Sequence, residues 1–136
     1  MRLILSAALA LVMAATTVQA AEARPPLREH VEVNRGLTVI AIADMIRKNC
    51  DSIEPRMVRA YGFMRALKDE ASAAGYSDRE IETYVSDKAE KKRIEDAARA
   101  WLVARGVRPG EGASYCPVGL AEIARNSQVG VLLRAR

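Results

Sequence analysis

The chain has 136 residues, with 21 Lys and Arg against 17 Asp and Glu, a net charge of +4, one histidine, two cysteines and 4% aromatic residues. One imidazole and two thiols are too few for a four-ligand zinc site or a histidine-based catalytic set. The small positive excess is interleaved with acids along the chain, so no basic stripe of the kind that binds nucleic acid is expected.

The opening stretch MRLILSAALALVMAATTVQA combines a positive charge at Arg2, an apolar run from Leu3 to Ala15 and a short polar end. This is the three-part pattern of a secretory signal peptide, and the run is short for a membrane span of roughly 20 residues. Small side chains at Val18 and Ala20 predict cleavage after Ala20, leaving Ala21 as the first mature residue and no stable membrane anchor. The expected organisation is a signal peptide over 1–20, a mobile lead-in over 21–34 and a single helical domain over 35–136. The lead-in holds Pro25-Pro26 and His30, whose side chain is expected to be solvated.

Helical spacing of Val39, Ile42, Ala43, Ile46 and Cys50 predicts a first helix from Leu37 to Cys50, with Asn34 as its N-cap. A second helix is expected to open on Pro55, whose missing N–H has no partner in a first turn, and to end at Gly75. Its expected inner face is Met57, Tyr61, Met64, Leu67 and Ala71. Ser77 and Glu80 have the spacing of a capping box, and Tyr76 and Ile81 that of a hydrophobic staple, so a third helix begins at Asp78.

The apolar stripe begun by Ile81, Tyr84 and Val85 runs onto Lys88 and Lys92, whereas Ile94, Ala97, Ala98, Trp101 and Leu102 form a rotated stripe. A break near Ser86-Asp87 reconciles them, with Asp87 and Glu90 capping the second piece. In DKAEKKRIEDAAR the pairs Asp87/Lys91, Lys91/Glu95 and Glu95/Arg99 stand four apart, which predicts a solvated face of weak ion pairs. Gly106 ends this helix, and Pro117 is expected to open a last one through PVGLAEIAR, interrupted at Asn126-Ser127 and resuming through VGVLLR. With no cleanly alternating strand and no repeat, the fold class is all-α, an irregular bundle of about five helices.

Cys50 and Cys116 stand 66 positions apart, unlike a redox pair two residues apart, and neither has a nearby histidine to serve as base. Export to an oxidising compartment makes a structural disulfide the expected pairing. Glu122, near the start of the last helix, is a candidate for paired-carboxylate hydrolysis, but an acid there more often complements the helix dipole. No phosphate loop, nucleophile elbow or H-E-x-x-H motif occurs.

Gly119 and Gly130, with Ile123 and Ser127, form a flat strip if the last helix runs on; otherwise Gly130 marks a local break. The tail carrying Leu132 and Leu133 either docks on the core or forms a patch facing a partner. These six residues are the partner-facing candidates.

The segment SYCPVGLAEIARNSQVGVLLR, after a leader and helices of this kind, resembles a family of small exported helical proteins of unknown function from alphaproteobacteria. The resemblance implies a periplasmic helical domain and supplies no catalytic residues. The expected function is that of a non-enzymatic periplasmic protein that binds another protein or assists an envelope complex. A periplasmic stress chaperone is the alternative, and a small carboxylate-dependent hydrolase the third. No cofactor, metal or nucleic acid is expected.

Overall fold

The computed structural model describes residues 24–136. The leader and the cleavage point at Ala20 and Ala21 lie outside the described residues. Five α-helices follow in order: α1 (Val31–Asn49), α2 (Met57–Ala73), α3 (Asp78–Ser86), α4 (Lys88–Val103) and α5 (Tyr115–Ala124). A two-stranded antiparallel ribbon joins β1 (Ile53–Pro55) to β2 (Leu133–Ala135), in the register Ile53 to Ala135 and Pro55 to Leu133. The mostly helical class expected from the sequence is what the chain adopts.

The central helix is α1, which touches α2, α4, α5 and β1. Val39, Ile42, Ala43 and Ile46 sit on its buried side and meet Ala98 and Leu102 of α4, Val118 of α5 and Leu132 and Leu133 of the tail. A second apolar cluster, Leu27, Val33, Ala71, Tyr76 and Ile81, closes the other end.

Several boundaries differ from expectation. Residues 24–34 are packed rather than a loose lead-in. Leu27 and Val33 are buried, the Tyr76 hydroxyl donates to the Pro25 carbonyl at 2.8 Å, and the Arg24 guanidinium lies 4.2 Å from the Tyr76 ring centre. As a result α1 starts six residues earlier than the periodic stripe suggests. Its cap is His30, whose Nδ1 accepts from the Val33 N–H at 3.3 Å, and not Asn34. The Asn34 amide instead donates back to the carbonyls of Leu27 (2.9 Å) and His30 (2.7 Å), which fastens the first turn.

Pro55 closes β1 instead of opening α2. The Arg56 N–H donates to the Leu132 carbonyl at 2.8 Å, which holds this stretch extended against the tail until Met57. Pro117 is the third residue of α5, where its missing N–H still has no intrahelical partner. The last segment breaks at Asn126, which takes a left-handed φ of 50°, but the tail does not resume as an α-helix. It makes a 3-10 turn over Gly130–Leu132 and then becomes β2. The inserted ribbon explains the change, since β2 needs extended backbone to pair with β1.

Local signals around α3 and α4 hold. Ser77 Oγ accepts from the Glu80 N–H at 3.1 Å, and Glu80 accepts from the Ser77 N–H at 2.7 Å. Gly75 has a φ of +95°, as the turn after α2 requires. The chain breaks between Ser86 and Lys88, and Asp87 caps α4 by accepting from the Glu90 N–H at 2.9 Å. The surface pairs on α4 differ from the expected set, with Asp87 engaged as the cap. Arg93–Glu90 (2.8 Å), Arg99–Asp96 (3.1 Å) and Lys92–Asp96 (2.5 Å) form in place of pairs through Lys91 and Glu95.

Candidate functional site

Cys50 and Cys116 are bonded, tying the C-terminal end of α1 to the start of α5. Cys50 is buried in the main core. The bond holds the helix that carries the floor of a large apolar concavity.

That concavity is a groove of about 730 Å³ running over α1 between α2 and α4. Its floor is Leu37, Ile40, Ala41 and Met45 of α1. Met57, Ala60 and Met64 of α2 form one wall, Ile94 of α4 with Val85 of α3 the other, and the tail closes one end. Along α2 the buried side chains, Leu67 and Ala71, lie in the C-terminal half, while Phe63 alone of the large apolar residues before them packs on the main core. Leu67 fills a notch at Gly36, with its Cδ1 2.7 Å from where a β-carbon on Gly36 would stand.

The N-terminal half of α2 corrects the expected inner face. Leu67 and Ala71 are buried, but Met57 is 50% exposed and Tyr61 62%. Met64 is also exposed, and Val58, just outside the stripe, is 88% exposed. About two turns of helix therefore present apolar side chains to solvent beside an apolar trough, an arrangement that costs solvation and that typical surfaces keep small.

Electrostatics at the groove are uneven. Asp44 is held by Arg47 and Lys48, both at 2.5 Å, and Glu90 by Arg93 at 2.8 Å and Arg28 at 3.4 Å. Tyr84, at the groove's edge, donates to Asn34 Oδ1 and accepts from Arg93 Nη2 at 2.6 Å. Burial pushes its phenol above the ordinary value, against the pull of Arg93, so it stays a protonated donor that clamps α3 to α1.

The partner-facing candidates of the last segment point inward. A β-carbon on Gly119 would stand 2.5 Å from Ile53 Cδ1 and 2.6 Å from Ile46 Cγ2. Gly130 lies against the backbone of Glu122 and Ile123, while Leu132 and Leu133 are core residues. Ile123 and Ser127 are half-buried, and the Ser127 hydroxyl accepts from the Gly130 N–H at 3.0 Å. The strip is an internal seam, because the chain reverses at Asn126 and lays the tail back on α5. Glu122 is buried and salt-bridged to Arg125, three residues on. Among the described residues, no three His, Cys, Asp or Glu side chains gather as metal ligands, and no helix is long and apolar enough to cross a membrane.

The α2 face was hidden in the sequence because a stripe of Met57, Tyr61 and Met64 has the same period whether it meets a core or a partner. The one discriminating signal is Val58, a β-branched apolar residue placed off the stripe between arginines.

A family model matches residues 25–134 of the chain. The chain belongs to DUF5333, a family of unknown function. The DUF5333 match begins where the packed chain begins, at Pro25, and takes in all five helices, both cysteines and the groove. No curated protein and no solved structure matches the chain.

Proposed function

We propose that the protein is exported to the periplasm and acts there without catalysis, binding another protein in an accessory role at the envelope through the groove and the outer face of α2. The observation that carries this reading is the exposure of Val58 (88%) and Tyr61 (62%) beside an apolar trough floored by α1. Amphipathic helices lay apolar anchors into grooves of this form, and methionine walls adapt to them. The disulfide supports an oxidising compartment, where such bonds persist.

Site-specific photo-crosslinking in cells tests the reading. A benzophenone side chain at position 58 should give one discrete adduct, and the same group at Arg99, on the exposed face of α4, should give none. Identical patterns from the two positions, or no adduct at 58, would overturn it. A ladder of many weak adducts at 58 would replace the accessory role with that of a chaperone. Intact-mass measurement of periplasmic material tests export, with a chain starting at Ala21 expected and a full-length, membrane-retained chain contradicting it.

A further inference from the structure

We infer that Met57 and Met64 are sites of reversible oxidation, where a peroxide turns the α2 wall of the groove from apolar to polar and so releases what is docked there; this rests on the docking role proposed above. The described residues hold three methionines, Met45, Met57 and Met64, and all three line the groove. Neither cluster of buried core residues contains one. Met57 is 50% exposed and Met64 41%, so an oxidant reaches both without any opening of the fold, whereas Met45 is half-buried against the main core. Both cysteines are already joined to each other, which leaves these thioethers as the oxidisable sulfur of the described chain.

The step is a two-electron oxygen transfer. A sulfur lone pair attacks one oxygen of hydrogen peroxide, the O–O bond breaks as the S–O bond forms, and water leaves, so the thioether is oxidised to a sulfoxide and the peroxide is reduced. At a solvated rim the sulfoxide oxygen is satisfied by water and the fold is undisturbed. Under a docked apolar side chain the same oxygen loses its water without gaining a donor, which weakens the contact. Met57 and Met64 stand seven residues apart, about two turns of α2, so both changes fall on one wall and act on one occupant. A methionine sulfoxide reductase restores the wall, with two thiols oxidised to a disulfide and the oxygen released as water.

Titration of the intact disulfide-bonded protein with hydrogen peroxide, followed by peptide mass mapping, tests the sites. Met57 and Met64 should each gain one oxygen at a lower dose than Met45, with the melting temperature unchanged. Earlier conversion of Met45, or a melting temperature that falls in step with conversion, would overturn the inference, since either means that the reagent acts through an opened fold. The consequence is read from the benzophenone adduct at position 58, in cells with and without a pulse of peroxide. Adduct yield in the parent should fall roughly tenfold, the loss expected where an unsatisfied polar group is buried at a contact. In Met57→Leu with Met64→Leu, an exchange that conserves side-chain volume, the yield should be the same with and without the pulse. An adduct that survives peroxide in the parent, or one lost equally in the leucine variant, would overturn the switch and leave the docking role standing. No adduct in untreated cells would remove the two together.

Discussion

Replacing Gly130 by alanine probes the tightest of the glycine contacts with main chain. An added β-carbon would collide with the Glu122 carbonyl group and stand 2.7 Å from the Ile123 nitrogen. Both neighbours are main chain, so no change of rotamer relieves the clash. Gly130 does not have a left-handed φ, so the whole penalty is steric. Admitting the methyl group means lifting the 3-10 turn from α5. That stretches the Gly130 N–H bond to Ser127 Oγ (3.0 Å) and the Val131 N–H bond to the Ser127 carbonyl (2.9 Å). Leu132 and Leu133, 3% and 1% exposed, move with it. Overpacking costs about 1–3 kcal/mol where side chains can adjust, and here the upper end, about 3 kcal/mol, is expected. At roughly 4 °C or more per kcal/mol for a domain of this size, the melting temperature should fall by roughly 12 °C. Urea unfolding followed by circular dichroism measures the change. Gly62→Ala serves as control, because nothing lies within 4 Å of its added carbon and a helix-interior alanine should gain about 0.5–1 kcal/mol. A Gly130→Ala midpoint within about 0.5 kcal/mol of the parent would refute the seam between α5 and the tail.

Loss of the disulfide through paired Cys50→Ala and Cys116→Ala should lower stability by about 2–5 kcal/mol by the same assay, and native protein should show no free thiol on Ellman titration. Two titratable thiols in oxidised material would contradict the bond. Ser77→Ala should cost about 1 kcal/mol by removing the acceptor for the Glu80 N–H, and an unchanged midpoint would mean that the cap contributes nothing. Three carboxyls are held below their ordinary values: Glu80 by the Ser77 N–H, Glu54 by its hydrogen bond from Arg134 and Asp96 by that from Lys92. A lowered folded-state pKa favours the fold above the unfolded carboxylate value, about 4, and that contribution disappears as pH falls through the folded values. The urea midpoint should therefore drop on acidification below about pH 4, with a shallower drop in Glu80→Gln; equal slopes would exclude Glu80 as a source.

What could be seen in the sequence was local. Ser77 and Glu80 lie within one turn, so their chemistry alone starts α3, and the break at Asp87 shows as a phase slip between the stripes of Ile81 and Ile94. The two cysteines had only each other. What could not be seen depended on distant partners. Ile53–Pro55 pairs with Leu133–Ala135 across nearly the whole domain, and three-residue strands carry no readable alternation. That ribbon sends the tail inward, so Gly119 and Gly130 become close-packing positions instead of a surface strip. The same tertiary contacts move the start of α1 back to Val31, where a histidine does the work expected of an asparagine. On α2, periodicity located the apolar face correctly but could not tell whether the bundle would cover it.

Whether that uncovered face is where the protein acts is tested most directly by one comparison, native chromatography of freshly released periplasm from cells making the parent protein or Val58→Asp. Val58 is 88% exposed, so the substitution removes almost no core contact and should leave the melting temperature unchanged. The parent should elute together with its partner, and Val58→Asp should elute as the free chain. Co-elution of the variant with the same partner in the same amount, or a parent that always runs free, would contradict the assignment of α2 as the docking face.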